Sequence, residues 1–328
     1  MYGMSKVNQK KLALLAGVSV STVSKAFSGS HEISEETRDS IFALAKRYGC
    51  FDKYCRVRYQ KRTVAVIAPE FSSNVYTSGI GILERQLRDR GCVMLAAFYN
   101  FSDSVLEQLI SYFAEYVKVD GIIVLSGEAK NIPETGVPII HYKERQNFNP
   151  RVDTFSSECK SAVGLAIEYL KESGHRDIAF IGELLTNIKL EYFLDAMREQ
   201  GLKADDSFIR TSHSRCEEAG FSEMEKLLSL NRRPTAIMCA YDTIAFGAID
   251  AIKQHGLRVP EDFSIIGMND VRTAVYSGIG LTTVREVPDE VFSMMTDLLC
   301  KRMDGSNVPR QAVTVHGELI KRQSVAKR

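Results

Sequence analysis

Residues 63–71 read Thr-Val-Ala-Val-Ile-Ala-Pro-Glu-Phe, a short apolar run that predicts a buried β-strand. Amphipathic stretches with helical spacing, at 76–90 and 103–117, separate this run from two others of the same kind. Short buried strands that alternate with helices are typical of a parallel sheet covered by helices on both faces. The sequence from residue 63 therefore begins an α/β domain, whose first predicted strands are 63–71, 92–99, 119–126 and 137–142.

A second series with the same alternation follows the first. Its predicted strands are 177–182, 236–241 and 263–268, and its predicted helices are 158–173, 187–200, 217–229 and 243–255. Two successive series predict two α/β lobes, each built on a parallel sheet, with a cleft between them. Clefts of this kind commonly bind small ligands. We expect residues 63–328 to form this two-lobed body.

The first 51 residues show a different pattern, in which short helices are separated by turn residues. Residues 8–16 have apolar side chains at helical spacing. Ser19 can cap a second helix at 20–27, and Ser34 can cap a third. Residues 52–62 are polar and basic and contain no Gly or Pro, so we interpret them as a linker.

The spacing of Ala13, Gly17 and Val23 is typical of a helix-turn-helix. A small residue lets two helices approach closely, glycine adopts the turn conformation, and the apolar residue packs back onto the first helix. The second helix, Val-Ser-Thr-Val-Ser-Lys from residue 20, presents hydroxylated side chains and Lys25 outward. Hydroxyls at a helix N-terminus suit phosphate oxygens, and a lysine can reach a phosphate or a base edge. The pattern predicts a DNA-binding domain at residues 1–51.

The charge distribution favours a polyanion as the partner of this domain. Residues 1–62 carry 12 Lys and Arg against five Asp and Glu, whereas residues 63–328 carry 30 against 36. The whole chain has a net charge of +1, so the basic excess is confined to the first 62 residues. A basic head on an acidic body indicates nucleic-acid binding, although a solvated basic face would show the same excess.

Composition and motifs disfavour several other classes of protein. The seven cysteines are scattered without a C-x-x-C pair and the histidines form no metal motif, so we expect reduced thiols, no metal and no cofactor. No G-x-G-x-x-G follows the first strand, and no Ser-His-Asp or paired-carboxylate pattern is present, so we expect no enzyme activity. No apolar run reaches the roughly 20 residues of a membrane span, and the N-terminus shows no signal-peptide core. We therefore expect a cytoplasmic protein.

The chain resembles the lactose/galactose-repressor (LacI/GalR) family of bacterial transcriptional regulators. In the head the likeness is carried by Leu-Ala at 12–13, Ala-Gly-Val-Ser-Val-Ser-Thr-Val-Ser-Lys at 16–25 and Ile-Ser-Glu-Glu-Thr-Arg at 33–38. In the body it is carried, in order, by Val-Asp-Gly-Ile-Ile at 119–123, Gly-His-Arg-Asp-Ile-Ala-Phe-Ile-Gly at 174–182, Gly-Leu-Arg-Val-Pro-Glu-Asp at 256–262 and Glu-Leu-Ile-Lys-Arg at 318–322. The likeness covers nearly the whole chain and implies a two-lobed, periplasmic-binding-protein-like (type I) body.

The resemblance implies a sequence-specific regulator of transcription, most often a repressor, that binds double-stranded operator DNA as a homodimer. The two-fold symmetry of such a dimer requires matching half-sites in the operator. The resemblance implies that Val20, Ser21 and Lys25 face bases in the major groove. It also implies that the phosphate contacts are made by Ser19, Thr22, Ser24, Ser34 and Thr37.

The linker departs from the family pattern. In the family this segment forms a short hinge helix whose leucine wedges into the minor groove, but residues 51–59 here read Phe-Asp-Lys-Tyr-Cys-Arg-Val-Arg-Tyr. The wedge position falls on Tyr59 when it is counted from Gly49, and on Arg58 when it is counted back from Thr63. Tyr59 can unstack a base step, Arg58 can read a narrow groove, and a merely basic tether would add only phosphate contacts.

In family members the cleft binds a sugar, a nucleobase or a related effector. The resemblance implies that the matching positions here supply aromatic faces for stacking and polar groups for hydrogen bonds to hydroxyls. These positions are Asn74, Tyr76, Phe98, Tyr99, Lys189, Arg215, Tyr241, Asp242 and Asn269. Closure of the lobes on a ligand would shift the two heads of the dimer and change operator affinity.

Lys189 and Arg215 allow two interpretations. Two cations in the cleft indicate an anionic effector, such as a phosphorylated sugar or an acid sugar. Alternatively, each cation forms an ion pair within the protein, with Asp242, Asp270 or Glu217 as its partner. A regulator of the same fold that responds to a protein partner, or that has no small-molecule effector, is the alternative function.

Overall fold

The computed structural model describes residues 7–28, 30, 32–54, 62–127, 132, 135–143, 151–185, 187–276 and 278–328. The chain divides into two compact units at the junction of Arg62 and Thr63. We call the first unit the head and the second unit the body. Each is described separately.

The head contains the helices α1 (Gln9–Ala16), α2 (Val20–Ser28), α3 (Glu35–Arg47) and α4 (Phe51–Tyr54). The predicted caps are confirmed: the Ser19 Oγ accepts a hydrogen bond from the Thr22 N–H at 3.0 Å, and the Ser34 Oγ accepts one from the Thr37 N–H at 3.2 Å. Gly17 ends α1 with a φ of 65°, in the left-handed region where glycine has no steric penalty. The predicted helix-turn-helix therefore forms.

One apolar core joins the first three helices of the head. Ala13 of α1 and Val23 of α2 are buried, as the helix-turn-helix spacing predicts, and they belong to the same cluster as Ile41 of α3. Because Val23 lies on the inner face of α2, the residues on the opposite face of that helix point to solvent.

Helix α4 lies partly in the segment that we interpreted as a linker. The Phe51 ring lies 5.1 Å from the Phe42 ring, and the Tyr54 hydroxyl donates a hydrogen bond to the Val7 carbonyl at 3.1 Å. The packed part of the head therefore extends to Tyr54. The remainder of the predicted linker, 55–61, lies outside the described residues.

The body contains twelve strands and seven α-helices among its described residues. The strands are β1 (Thr63–Ala68), β2 (Val93–Phe98), β3 (Gly121–Leu125), β4 (Ile139–Lys143), β5 (Asp153–Ser157), β6 (Ile178–Glu183), β7 (Ile209–Ser212), β8 (Ala236–Cys239), β9 (Ser264–Met268), β10 (Thr282–Arg285), β11 (Ala312–Val315) and β12 (Glu318–Ile320). The helices are α5 (Asn74–Asp89), α6 (Asp103–Ser111), α7 (Cys159–Glu172), α8 (Ile188–Glu199), α9 (Cys216–Leu228), α10 (Asp242–Gln254) and α11 (Asp289–Met303). A π-helical segment, Tyr112–Val117, continues α6.

These elements form two lobes, each built on a six-stranded sheet. In lobe 1 the strand order is β11-β5-β4-β3-β1-β2, and all neighbouring strands are parallel. In lobe 2 the order is β12-β10-β9-β8-β6-β7, where β12 pairs with β10 in the antiparallel sense and the other pairs are parallel. The prediction of an α/β fold with parallel sheets in two lobes is confirmed.

Strand β1 shows why helices cover both faces of a sheet. Val64 and Val66 belong to the apolar cluster that contains residues of α5 and α11. Ala65 and Ile67 belong to the cluster on the other face, which contains residues of α6. Because alternate residues of a strand point to opposite faces, a continuous apolar run requires an apolar cover on each side.

The chain passes between the lobes three times, at 157–159, 285–289 and 315–318. The sequence patterns did not predict β5, β7, β10, β11, β12 or α11. Strand β5 is Asp-Thr-Phe-Ser-Ser and is buried throughout, although it is polar. Its Asp153 accepts hydrogen bonds from Arg302 of α11 at 2.8 and 2.9 Å and from the Gln311 N–H at 2.8 Å. These bonds compensate for the burial of a charge and attach α11 and β11 to lobe 1.

Helices α9 and α10 approach so closely that glycine is required at their contact. A Cβ added to Gly220 would lie 1.9 Å from the Ile244 carbonyl oxygen, and one added to Gly247 would lie 1.9 Å from the Glu217 carbonyl oxygen. Backbone atoms cannot move aside as a flexible side chain can, so alanine at either position must separate the helices.

We expect Gly220→Ala to lower the free energy of unfolding by about 1–3 kcal/mol, because overpacking displaces two helices. Gly164→Ala in α7 is the matched control: an added Cβ there meets no atom within 4 Å. That variant should be neutral or more stable by up to about 1 kcal/mol, since alanine favours a helix. Urea denaturation of both variants and the wild type checks this. Equal stability of Gly220→Ala and the wild type would contradict the close approach.

Candidate functional site

The outer face of α2 has the exposure that a DNA-reading helix needs. Val20 is 40% exposed, Ser21 and Ser24 are exposed, and Lys25 is half-buried. On the opposite face Val23, Ala26 and Phe27 are buried. The structure therefore brings Val20, Ser21, Ser24 and Lys25 to one surface of the head.

The other hydroxyls that we predicted to hold phosphates lie at helix N-termini. The Ser19 and Thr22 hydroxyl oxygens are 2.8 Å apart at the start of α2, and those of Ser34 and Thr37 are 2.8 Å apart at the start of α3. Each pair combines a capping hydroxyl with the positive end of a helix dipole, an environment that favours an anion. Arg58 and Tyr59, the two candidates in the linker, lie outside the described residues.

Lys25 has an internal partner that the sequence patterns did not indicate. Its ammonium group forms an ion pair with the Glu32 carboxylate, and the side chains are 43% and 68% exposed. The hydrogen bond and the charge of Lys25 hold the pKa of Glu32 below its ordinary value. Because both groups lie at the surface, the pair is screened by water and costs little to separate. Lys25 can therefore exchange Glu32 for another anion at little cost in free energy.

The cleft of the body lies between the two lobes, at the carboxyl ends of several strands. Its free volume is about 70 Å³. Six predicted effector residues line it: Tyr76, Lys189, Arg215, Tyr241, Asp242 and Asn269. The sequence analysis did not single out the other lining residues, which are Ser73, Phe101, Leu125, Tyr142, Glu183, Cys216, Thr243, Val271, Glu286, Val287 and Phe292.

Two predicted effector residues do not line this cavity. Phe98, at the end of β2, is 38% exposed and packs edge-on against Phe71 at 5.6 Å. Tyr99 is 2% exposed and belongs to the core under α6. The chain turns after β2, so the tyrosine enters the core instead of the cleft. Asn74 begins α5, and its side chain lies outside the described part of the structure.

The ammonium group of Lys189, in α8, has its charge balanced by partners within the protein. Its Nζ lies 2.5 Å from the Glu286 Oε2, donates a hydrogen bond to the Ala240 carbonyl at 3.2 Å, and lies 4.4 Å from the centre of the Tyr241 ring. Burial by itself would lower the pKa of Lys189, but the charge of Glu286 outweighs it and raises the pKa above the ordinary value. Lys189 is therefore charged and paired.

Arg215, just before α9, is also paired on two sides. Its Nη2 lies 2.6 Å from the Glu70 Oε1, and its Nε lies 2.6 Å from the Glu183 Oε2. The guanidinium group also lies 5.2 Å from the centre of the Phe101 ring. Burial alone would lower the pKa of Arg215, but the carboxylates of Glu183 and Glu70 raise it.

These contacts decide between the two interpretations of the cleft cations. Both cations form ion pairs within the protein, although their partners are Glu286, Glu183 and Glu70 rather than Asp242, Asp270 or Glu217. A ligand therefore meets cations whose charge is already balanced. The charge argument for an anionic effector loses its basis.

Asp242, the first residue of α10, accepts hydrogen bonds from two other segments of lobe 2. Its Oδ2 accepts a hydrogen bond from the Val271 N–H at 2.8 Å, and its Oδ1 accepts one from the Thr283 hydroxyl at 2.6 Å. The side chain is fully buried, and this burial raises the pKa of Asp242 to about 7. A Cβ at Gly267 would lie 2.1 Å from the Asp242 Oδ1, so glycine is needed beside it. Asp242 connects α10, β10 and the segment after β9.

The segment after β9 carries a polar side chain, Asn269, that lines the cavity. Asn269 and Asp270 have φ values of 97° and 49°, in the left-handed region that side chains other than glycine rarely adopt. Asp270 accepts hydrogen bonds from Arg285 and Arg322, each at 2.6 Å, which hold the strained turn in place. The half-buried Asn269 amide faces the cavity and makes no hydrogen bond to another described residue. Strain of this kind is often found where a side chain must be aimed at a ligand.

The cleft carboxylates are the functional features that sequence reasoning missed. Glu183 is the last residue of β6, Glu286 immediately follows β10, and Glu70 lies two residues after β1. Their shared signal is a charged residue at the carboxyl end of a buried strand, where ligand sites form in open α/β sheets. Over the described residues, no cluster of three or more His, Cys, Asp or Glu side chains could hold a metal ion. No helix in the same part of the chain is long and apolar enough to cross a membrane.

The raised pKa of Asp242 predicts a pH dependence of stability. The folded protein binds this proton more tightly than the unfolded chain, whose Asp has an ordinary pKa of 3.8, so the contribution of Asp242 falls as the pH rises from about 4 to about 7. We expect the free energy of unfolding of the wild type, relative to that of Asp242→Asn, to fall between pH 5 and pH 7. The limiting slope is about 1.4 kcal/mol per pH unit. Urea denaturation at several pH values measures it. All other titrating groups are common to both proteins, so parallel pH profiles would contradict the burial of an ionisable Asp242.

Comparison with known proteins agrees with this architecture. Residues 10–49 match the family described as bacterial regulatory proteins, lacI family, and residues 167–325 match the periplasmic binding protein-like domain. Proteins named HTH-type transcriptional repressor PurR, from Salmonella arizonae and Salmonella paratyphi B, are each 29% identical over 341 residues. These matches cover 97% of this chain and 96% of each relative.

Solved structures share the fold across the head and the body. The lac repressor dimer bound to operator and the anti-inducer ONPF matches with a TM-score of 0.78 and 20% identity, over 98% of this chain and 100% of that one. The transcriptional regulator CelR in complex with cellobiose matches with a TM-score of 0.68 and 24% identity, over 97% of this chain and all of that one. A LacI family regulator from Enterococcus faecium with bound ribose matches with a TM-score of 0.70 and 21% identity, over 81% of this chain and all of that one.

Both family matches agree with the observed architecture: a helix-turn-helix with an exposed α2 face, and two lobes built on largely parallel sheets around a cleft. The relatives match along almost the whole chain. The chain belongs to the lactose/galactose-repressor (LacI/GalR) family of DNA-binding bacterial transcriptional regulators.

Proposed function

We propose that this protein is a cytoplasmic repressor that binds a near-palindromic operator as a homodimer and responds to a small molecule in the cleft of the body. The proposal that the head binds DNA rests on one observation: α2 has a buried face and an exposed face. Val23 is buried in the head, while Val20, Ser21, Ser24 and Lys25 share the outer surface. A helix of this shape fits the major groove, which admits one α-helix and displays the base edges.

The proposed contacts follow from the position of each side chain. Val20, Ser21 and Lys25 lie on the outer face of α2 and would contact base edges. The hydroxyls at the starts of α2 and α3, together with Ser24, would contact phosphates. These hydroxyls belong to Ser19, Thr22, Ser34 and Thr37. We keep Arg58 and Tyr59 as candidates for the groove contact of the linker.

A surface of the body supports the homodimer. Val275 and Tyr276 are 54% and 85% exposed, and they line a groove together with one side of α5. Large exposed apolar side chains beside a groove are typical of protein interfaces. A symmetric dimer through this surface would present two heads to two operator half-sites.

For the effector, we propose an uncharged, hydroxyl-rich molecule such as a sugar. Tyr76, Tyr142 and Tyr241 supply aromatic surface to the cavity, and the amide of Asn269 can both donate and accept hydrogen bonds. The two cations are neutralised by carboxylates, which disfavours a phosphate or a carboxylate on the ligand. Cellobiose and ribose are the ligands named for two proteins of the same fold.

A second candidate is a regulator of the same fold without a small-molecule effector, controlled by a protein partner. The small size of the cavity favours it: about 70 Å³ is far below the roughly 300–1,000 Å³ of ordinary ligand pockets. An effector therefore requires the lobes to move apart. A partner protein that binds the outside of the body does not.

Lys25→Ala tests the DNA-binding face. If Lys25 makes a bidentate contact to a base, the variant should bind the operator more weakly by about 1–3 kcal/mol. The operator is first obtained by selecting bound fragments from random DNA, and affinity is then measured by fluorescence anisotropy at fixed salt. Lys46→Ala removes one exposed charge from α3 and serves as the control, with a smaller and sequence-independent loss.

Glu32→Gln completes this test, because it removes the internal competitor of Lys25. We expect it to strengthen operator binding several-fold. If the affinity of Lys25→Ala equals that of the Lys46→Ala control, Lys25 does not read the operator. A wild-type protein without preference among the selected and scrambled fragments would contradict the proposed function itself.

A ligand panel tests the cleft. We expect neutral monosaccharides or disaccharides to raise the thermal unfolding midpoint of the wild type by about 2–4 °C, and hexose phosphates and uronic acids to leave it unchanged. Asn269→Ala should lose the response, whereas Asn231→Ala, at an exposed loop position, should keep it. Stabilisation by the acidic sugars alone would overturn the uncharged class. No response to any member, together with specific operator binding, would favour the second candidate.

A further inference from the structure

Helix α6 and the π-helical segment that continues it bury one face in lobe 1 and expose the other. On the buried face, Leu106, Ile110 and Phe113 belong to an apolar core of that lobe. The opposite face lines an open groove on the surface of the body, which we call the tyrosine face. Its residues include Glu107, Gln108, Ser111, Tyr112, Glu115 and Tyr116.

Two stacked rings form the apolar centre of the tyrosine face. The ring centres of Tyr112 and Tyr116 are 5.5 Å apart, and their planes differ by 20°. The Tyr112 ring also packs at 5.6 Å against the buried Phe113, which holds it in place. Nevertheless Tyr112 is 49% exposed and Tyr116 is 79% exposed. A partner can cover rings that are already held in place at little cost in conformational entropy.

The charges around these rings are mainly negative. Segment 103–118 contains Asp103, Glu107 and Glu115 against one cation, Lys118, which gives a net charge of −2. Asp103 has a local explanation, because it lies in the first turn of α6, where the helix dipole favours an acid. Glu115 is exposed and forms no ion pair with any residue that the structure describes. Its carboxylate, next to Tyr116 in the chain, is therefore available to an external cation.

Charge and ring geometry together indicate the chemistry of a partner. An acidic surface repels phosphates, which disfavours both nucleic acid and an anionic membrane. A second copy of the chain on the same face would bring like charges together. An arginine fits both features, because its planar guanidinium group stacks on an aromatic ring and pairs with a carboxylate. Arginine is also enriched among the residues that dominate protein interfaces.

We propose that the tyrosine face is a docking surface for a partner protein that presents arginine side chains. A guanidinium group stacks on the side of the Tyr116 ring away from Tyr112 and pairs with the Glu115 carboxylate. The tyrosine face shares no lining residue with the cleft or with the groove at Val275 and Tyr276. The inference goes beyond the proposed function, and its test uses neither DNA nor effector, so its failure leaves the proposed function intact.

The test uses the full-length protein and a defined probe, a fluorescein-labelled peptide of alternating Arg and Ser. Fluorescence anisotropy at about 0.05 M salt measures its affinity, and a peptide with Lys in place of Arg is the comparison. We expect the arginine peptide to bind more tightly, since only a guanidinium group stacks on a ring and pairs at the same time. Tyr116→Ala should weaken its binding about two- to fivefold, the value of one exposed cation–π contact.

Two further variants separate the ring from the charge. Tyr116→Phe should retain the wild-type affinity, because it keeps the aromatic ring. Glu115→Gln should weaken binding of the arginine peptide about twofold, and this difference should vanish at about 1 M salt, where exposed charges are screened. A photoreactive benzoylphenylalanine at position 116 should cross-link to the peptide, whereas the same group at position 71 should not.

Phe71→Ala is the matched control, because Phe71 and Phe98 form another exposed aromatic pair on lobe 1, packed edge-on at 5.6 Å. This variant and Glu172→Gln, at the exposed end of α7, should bind the arginine peptide as the wild type does. Equal affinity of Tyr116→Ala and the wild type, or equal binding of the two peptides, would overturn the proposal. Self-association of the wild type that Tyr116→Ala abolishes in sedimentation would also overturn it, since a second copy would then cover the face.

Discussion

The three passages of the chain between the lobes constrain the rest of the body. Because the chain returns to lobe 1 after β10 and to lobe 2 after β11, each sheet is completed by a strand from the last fifth of the sequence. The first and third passages lie side by side, where the Glu158 N–H donates a hydrogen bond to the Val315 carbonyl at 2.9 Å. Such a connection lets two lobes rotate about a common hinge but keeps them attached. The cleft therefore has a fixed set of residues and a variable width.

The electrostatics of the cleft follow from this arrangement. Carboxylates at the ends of β6 and after β10 and β1 meet the two cations of lobe 2 in a partly desolvated space. Removing charges from water costs more than one ion pair usually returns, so every buried charge here has a close partner. The strained Asn269, by contrast, presents an amide without a partner among the described residues. Neutralised charges and the available amide of Asn269 together suit an uncharged ligand.

The head and the cleft differ in how far the sequence predicted them. In the head, Ser19 and Ser34 act as caps and Gly17 as a turn residue, because these roles depend on a few neighbouring residues. In the cleft, Tyr76 and Tyr241 line the cavity, but Tyr99 turns into the core. Lys189 and Arg215 also line the cavity, but the sequence indicated none of their three carboxylate partners. Glu286 is far from Lys189 in the sequence, and Glu70 and Glu183 are far from Arg215, so no local spacing reveals these pairs.

The sequence by itself determined the α/β class, the two lobes, the helix-turn-helix and the outward face of α2. Periodicity and capping are local properties, and each is expressed within a few turns of helix or one strand. Only the tertiary structure decided that polar β5 is buried, that α4 packs on the head, and that the cleft cations are already paired. Those outcomes depend on side chains that meet through the packing of distant segments, and burial then determines which charges must pair.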